Sequence, residues 1–205
     1  MAIEKYITSS CVISGNTIFK DEVNIFVNDQ VNLNNLLLSA YLHFNIDYPK
    51  FYKMDNLSKL GWLSAEILLQ GLILKDHAPE EIGIILSNAN ASLDTDINYL
   101  ETTKDMASPS LFVYTLPSIV TGEICIRNNF KGENAFFISE HFDTAFMEQY
   151  VSGLLDNNIL SVCICGWIDV YEEEYKAALF LIKKEKGATV FTQNNLDMIF
   201  KTGDL

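Results

Sequence analysis

The chain has 205 residues, of which 49% are hydrophobic and 20% charged, a balance typical of one globular domain with a sizeable core. Its formal net charge is -13 and Arg127 is its single arginine, so no basic surface indicates binding to nucleic acid or to an anionic membrane. The sequence has no signal-peptide pattern and no apolar run of about 18 residues, and we therefore expect a cytoplasmic protein outside the membrane.

The four cysteines give no sign of a metal site or a disulfide framework. They form no CxxC pair, and no histidine lies at ligand spacing from them. Cys163 and Cys165 alternate along an apolar strand, and we interpret both as small buried hydrophobic residues. Glycine-rich nucleotide-binding motifs are also absent from the sequence, so we expect no bound cofactor.

The first quarter of the chain predicts one clear strand and a long irregular segment. YITSSCVIS, residues 6–14, has the composition of a strand that ends at the turn pair Gly15 and Asn16. A polar, asparagine-rich stretch follows to about residue 55. Within it we expect only a short strand at VNIFV, residues 23–27.

The clearest helix lies within residues 54–74. Leu57, Leu60, Ile67 and other apolar or small residues recur there at helical spacing, and Asp55 or Asn56 is the expected N-cap. The next element, EIGIILSNA at residues 81–89, is a continuous apolar run of the kind expected of a parallel strand covered on both faces.

The second half of the chain alternates helices with strands. We expect a helix over residues 94–104 and another that begins at Ser108 and bends at Pro117. Residues 136–170 then read as a strand, a turn at 140–143, an amphipathic helix and a buried strand, and YKAALFLIKKEKG begins as a further strand. This alternation predicts one α/β domain over residues 1–205, with a layered, mostly parallel sheet and helices on both faces.

Five stretches, in serial order, resemble the amino-terminal half of β-ketoacyl synthases in the thiolase-like superfamily. The resemblance covers about residues 55–190 and extends to short chains linked to polyene pigment synthesis. The stretches are MDNLSKLGWLSAEILL, IGIILSNANASLD, SPSLFVYTLPSIVTGEICIRNNFKGENAFFISEHFD, SVCICGWIDV and AALFLIKKEKGA. The resemblance implies a single thiolase-like half, whose unpaired apolar face we expect to be covered by a partner.

In this family a strand leads through a tight turn to a cysteine at the mouth of a buried helix. The helix N-terminus lowers the pKa of the thiol, and the thiolate accepts an acyl group from the pantetheine arm of an acyl carrier protein. The resemblance sets Phe142 at the cysteine position, and shifts of one or two residues offer Glu140, His141, Asp143 or Thr144. We also expect the two histidines of the family's second half to have no counterpart here.

Phe142 has two interpretations. Its side chain either plugs a lost active site or floors a hydrophobic tunnel against which a partner synthase measures its growing chain. Aromatic residues are dense around it, and the residues we expect to line an acyl pocket are Phe137, Ser139 and Phe146.

The resemblance implies a catalytically silent subunit of fatty-acid or polyketide-type assembly. Such a subunit pairs with a copy of itself or with a catalytic ketoacyl synthase, and meets acyl-pantetheine and its acyl carrier protein mainly through that partner. The alternatives are a divergent acyltransferase or decarboxylase that uses His141 or Glu140, and a small-molecule binding domain. A hydrolase triad of Ser139, His141 and Asp143 is disfavoured because no GxSxG motif accompanies it.

Overall fold

The computed structural model describes residues 4–29 and 32–204, which form one eight-stranded sheet flanked by seven α-helices. The strands are β1 (Tyr6–Ser14), β2 (Thr17–Lys20), β3 (Val23–Val27), β4 (Ile82–Asn88), β5 (Asn134–Ile138), β6 (Val162–Tyr171), β7 (Glu174–Lys183) and β8 (Thr189–Val190). The helices are α1 (Leu33–His43), α2 (Asn56–Leu69), α3 (Leu93–Thr102), α4 (Pro109–Val113), α5 (Ile119–Asn128), α6 (Thr144–Asp156) and α7 (Gln193–Phe200). Across these described residues, every helix is too short or too polar to pass through a bilayer.

The strand order across the sheet is β3-β2-β1-β7-β6-β4-β5, and β8 pairs with the end of β1. β4 pairs in parallel with both β5 and β6, whereas β7 is antiparallel to both of its neighbours, β6 and β1. β1 therefore runs in the same direction as β4, β5 and β6. The expectation of a mostly parallel sheet is confirmed for the direction of these strands. Neighbouring strands are more often antiparallel, because β7 lies between β1 and β6 and because β2, β3 and β8 join the sheet through antiparallel pairs.

The segments with the strongest sequence patterns form the strands and helices that were predicted for them. β1 covers residues 6–14, the hairpin turn follows at Gly15, and β3 covers residues 23–27. Helix α2 begins after Asp55, whose carboxylate accepts a hydrogen bond from the backbone N–H of Ser58 at 3.0 Å. All seven residues of β4 are buried, as expected of a strand covered on both faces.

Three helical features differ from the prediction. The asparagine-rich stretch contains α1, because its apolar residues recur at helical spacing and Asn32 caps the helix by accepting from the N–H of Asn35 at 3.2 Å. The helix expected to bend at Pro117 is two helices, α4 and α5, since proline removes a backbone donor at the break. α7, near the end of the chain, was not predicted, because its apolar face consists of few residues, chiefly Leu196 and Ile199.

The sheet separates two hydrophobic cores. On one face α1, α2 and α5 cover a core that includes Trp62, Ile164 and Leu179, all fully buried. On the other face α6 and α7 cover Met147, Val151 and their neighbours. Because helices cover both faces of the sheet, the expectation of helices on both faces is confirmed, and the face opposite α1, α2 and α5 is covered by α6 and α7 of the same chain rather than by a partner.

Gly166 in β6 provides a test of the sheet. Its φ angle is +152°, and a Cβ at this position would collide with the backbone oxygen of Ala178 on β7. We expect Gly166→Ala to lower the free energy of unfolding by at least ~2 kcal/mol, because the backbone must move or strain to admit the methyl group. Equilibrium urea denaturation measures the change.

The matched control is Gly122→Ala in α5, where a Cβ meets no atom within 4 Å. This substitution should raise the free energy of unfolding by about 0.5–1 kcal/mol, because alanine loses less backbone entropy in a helix than glycine does. Equal effects of the two substitutions would contradict the close approach of β6 to β7.

Candidate functional site

The candidate site is the turn between β5 and α6, at the carboxyl end of the parallel strands. β5 lies at the edge of the sheet beside β4, and the backbone N–H of Ser139 donates to the carbonyl of Asn88 at 2.9 Å. The turn leads into α6. Asp143 is the N-cap of this helix, and its carboxylate accepts a hydrogen bond from the backbone N–H of Phe146 at 2.9 Å. The residue at the helix mouth is thus Asp143, and the placement of Phe142 as the residue that opens the helix is wrong by one position.

Phe142 precedes the cap and its side chain enters the protein core. Only 7% of its surface is exposed, and its ring lies 5.0 Å from that of Phe200, 6.1 Å from Trp167 and 6.2 Å from Phe180, with which it stacks. The side chain therefore fills space between the sheet and α7. This geometry favours the interpretation of Phe142 as a plug over that of a tunnel floor.

Two polar contacts fix the mouth of α6 against α7. The hydroxyl of Thr144 donates to the carboxylate of Asp197 at 2.8 Å, and the carboxylate of Glu148 accepts from the backbone N–H of Gln193 at 2.7 Å. Thr144 is buried, and a buried hydroxyl without a hydrogen-bond partner would lower the free energy of unfolding, so the bond to Asp197 is needed here. The helix mouth is consequently held in one position by side chains that are far away in the sequence.

A surface depression of about 240 Å³ opens at this helix mouth. The three residues expected to form an acyl pocket line it together with residues from β4, β5 and the cap, and the full lining is Ser87, Phe137, Ile138, Ser139, Asp143 and Phe146. Sequence reasoning missed Ser87, although it pairs with Phe137 in the parallel register. The position of Ser87 could have been inferred from the sequence, because it lies at the end of a predicted strand and the carboxyl ends of adjacent parallel strands meet at one edge of a sheet.

A second depression, of about 500 Å³, continues along α6. It shares Phe146 with the first and is otherwise lined by Gln149, Tyr150, Gly153, Leu154, Asn157 and Ile159. The rings of Phe137, Phe146 and Tyr150 form an aromatic group whose centroids lie 4.9–5.6 Å apart. The outer side of α6 therefore carries an apolar groove that starts at the helix mouth.

The candidate catalytic residues do not form a catalytic arrangement. Glu140 and His141 are exposed and neither lines the depression. The hydroxyl of Ser139 donates to the backbone carbonyl of His141 at 2.8 Å rather than to its imidazole, while the carboxylate of Asp143 caps the helix. Ser139, His141 and Asp143 are close in sequence, but they make none of the hydrogen bonds of a hydrolase triad.

No cysteine occurs between β5 and the end of α6. Burial raises the pKa of the Cys11 thiol to about 12 and also raises the pKa values of Cys163 and Cys165, which lie in the core as predicted. Cys125 is half-buried on α5, and burial raises its pKa as well. Within residues 4–29 and 32–204, no group of three or more His, Cys, Asp or Glu side chains is arranged to hold a metal ion.

Replacing Phe142 tests its role as a plug. We expect Phe142→Ala to lower the free energy of unfolding by about 3–5 kcal/mol, because it leaves a cavity among Trp167, Phe180 and Phe200. Urea denaturation measures the loss. Phe112→Ala, at a site that is 60% exposed, is the control and should change stability by less than ~0.5 kcal/mol. A similarly small effect of Phe142→Ala would rule out the plug.

The sequence matches no protein-family model and no curated protein. Among solved structures, it is similar to the ishigamide ketosynthase/chain length factor, with a TM-score of 0.65 and 13% identity over 90% of this chain and 63% of that chain. A structure of a type II polyketide synthase acyl-carrier protein in complex with its ketosynthase matches with a TM-score of 0.63 and 15% identity, over 90% of this chain and 64% of that one.

A third structure is the ketosynthase ApeO in complex with its chain length factor ApeC from Xenorhabdus doucetiae. It matches with a TM-score of 0.56 and 11% identity, over 91% of this chain and 81% of that chain. The chain thus spans slightly less than two thirds of the length of the first two structures. At these identities the likeness shows the fold alone. The chain has the ketosynthase-like thiolase fold that its sequence resemblance implied.

Proposed function

We propose that this chain is a catalytically silent ketosynthase-like subunit that pairs with a catalytic ketosynthase in fatty-acid or polyketide-type assembly. One observation carries the proposal: the mouth of α6 presents the capping carboxylate of Asp143, with the ring of Phe142 buried behind it. Neither group is the thiol that the condensation requires in the family that the sequence resembles.

The electrostatics of the helix mouth support this proposal. A helix N-terminus stabilises negative charge, and in a thiol enzyme that charge is the reactive thiolate. Here the carboxylate of Asp143 occupies this position and accepts the N–H of Phe146. A negative side chain at the same place disfavours a second anion there, whether a thiolate or the oxyanion of a reacting thioester.

The groove along α6 supports a role in contact with an acyl chain. α6 has 13 residues and is therefore about 20 Å long. The aromatic group of Phe137, Phe146 and Tyr150 covers the part of the groove nearest the helix mouth. Each methylene that an acyl chain buries against such a surface contributes about 0.8 kcal/mol, so the length of the groove can favour chains of a given length.

The net negative charge of this chain supports different roles for the chain and its partner in binding the carrier protein. Acyl carrier proteins are generally acidic, and a chain with a net charge of -13 repels them unless lysines cluster locally. The catalytic partner therefore supplies most of the contact with the carrier protein and receives its pantetheine arm. Chain length factors occur with ketosynthases in two of the structures that share this fold, which is consistent with such a pairing.

The proposed function predicts how the chain pairs and how the pair turns over its substrates. The chain is expressed together with each ketosynthase of its own genome, one at a time, and purified through a tag on the chain. We expect one ketosynthase to co-purify in a stoichiometric complex and to condense acyl thioesters only when the chain is present. The chain alone should leave acyl and malonyl carrier-protein thioesters unchanged, because it offers no nucleophile at the helix mouth.

A His141→Ala variant separates the proposal from its enzymatic alternative. His141 is exposed and lies outside the depression, so this variant should support the ketosynthase as well as the original chain does. Thioester turnover by the isolated chain that is lost in His141→Ala or Glu140→Gln would instead establish the acyltransferase or decarboxylase.

A separate prediction concerns the groove along α6. Phe146 lines both depressions, so Phe146→Trp should obstruct the groove and shorten the acyl product, whereas Phe146→Ala should lengthen it. Mass spectrometry of products released by the active complex measures chain length. Met198→Trp, at a site that is 56% exposed on α7, is the control and should leave the products unchanged. Identical products from both Phe146 variants would exclude the groove from chain-length control.

A further inference from the structure

A depression of about 420 Å³ lies at the amino-terminal end of β4, away from the mouth of α6. It forms where the segments that follow α2 and α5 meet the first residue of the strand, Ile82. Ser87, which lines the depression at the helix mouth, is five residues farther along β4 and therefore about 17 Å away. We call this separate site the β4 depression.

The floor of the β4 depression is apolar. Its apolar lining residues include Leu69, Leu72, Leu74, Ile82 and Phe130. Ile82 and Phe130 are buried and belong to the hydrophobic core beneath α2, so this part of the floor is fixed by the packing of the domain. Leu72 is 39% exposed, so apolar surface in the depression faces water. An apolar ligand segment that covered this surface would be stabilised by the hydrophobic effect.

Backbone hydrogen bonds hold the walls of the β4 depression. The N–H of His77 donates to the carbonyl of Leu74 at 3.1 Å, which closes a turn in the segment after α2. The N–H of Lys131 donates to the carbonyl of Pro79 at 2.8 Å and joins that segment to the one after α5. The depression is therefore formed before any ligand binds, which reduces the entropy cost of binding.

The ionisable residues that line the β4 depression are Lys75 and His77, and both are basic. This lining differs from the chain as a whole, which has 27 acidic residues against 14 lysines and arginines. In the described part of the chain, neither residue takes part in an ion pair. The carboxylates of Asp76, Glu80 and Glu81 lie outside the lining; Glu80 forms an ion pair with a lysine, and Glu81 accepts from a backbone N–H. The edge of the depression therefore favours an anionic group.

We propose that the β4 depression binds a fatty acid, that is, an unbranched acyl chain with a free carboxylate. The acyl chain covers the apolar floor at Leu72 and Leu74, and the carboxylate meets Lys75 and His77. An apolar floor with a basic edge matches this amphipathic anion in both parts, and a volume of about 420 Å³ is within the range of small-molecule sites. The inference is independent of the proposed function, because the β4 depression shares no lining residue with the groove along α6.

The test is isothermal titration calorimetry of the full chain with decanoate, at concentrations below micelle formation. We expect a dissociation constant below about 1 mM. Decyltrimethylammonium has the same chain length and the opposite charge, and it should bind at least ~10-fold more weakly, because Lys75 repels it. Equal affinity for the two compounds would overturn recognition of the carboxylate.

The variant Lys75→Glu/His77→Gln removes the basic edge and should weaken decanoate binding at least ~10-fold. The matched control is Lys53→Glu, an exposed residue outside the depression that undergoes the same change of charge. It should bind decanoate as the original chain does. Thermal melting checks that both variants remain folded, as expected for substitutions of exposed or half-buried side chains.

The position of the bound acid is measured by NMR of the original chain, so this readout does not depend on any variant. Decanoate should shift the backbone amide signals of residues 69–82 and 128–130. Shifts confined to residues 137–159 would place the acid in the groove along α6 and overturn the inference while supporting that groove. If decanoate does not bind below about 1 mM, the inference is overturned and the proposed function is unaffected.

Discussion

The position of β6 inside the sheet is the constraint on which the other elements depend. It pairs with β4 on one edge and with β7 on the other, and every residue from Val162 to Ile168 is buried. Its alternate side chains enter opposite cores: Ile164 packs beneath α2 and its neighbours, and Cys165 packs beneath α6 and its neighbours. A strand enclosed in this way has no polar surface to offer water, so helices must cover both of its faces.

This enclosure also determines where a site can form. β4 and β5 extend the parallel part of the sheet to its edge, and their carboxyl ends bring Ser87 beside Phe137. The turn after β5 then has to place α6 over β6, which sets the helix mouth at the end of the depression. At this helix mouth the turn holds the capping carboxylate of Asp143, which also lines the depression.

The sequence predicted elements with a strong local signal and missed those that depend on distant contacts. β4 and α2 were recognisable because continuous apolar runs and helical spacing reflect burial directly. α7 was not, because its stability comes from packing on α6 and β1. At the site, the sequence placed Phe137, Ser139 and Phe146 together, as the structure does, but it set Phe142 at the helix mouth, one residue before the N-cap. The error arose because an N-cap is defined by the hydrogen bond that Asp143 makes, and one residue of displacement leaves the sequence pattern unchanged.

The burial of Phe142 under α7 determines what a cysteine introduced at this turn could do. A cysteine at position 142 would lie in the pocket formed by Trp167, Phe180 and Phe200, where an apolar environment keeps a thiol protonated and unreactive. A cysteine at position 143 would reach the depression, but it would give up the carboxylate that caps α6. Neither replacement alone gives both a reactive thiol and an intact helix mouth, because the two positions serve different needs: position 142 fills the core and position 143 caps α6.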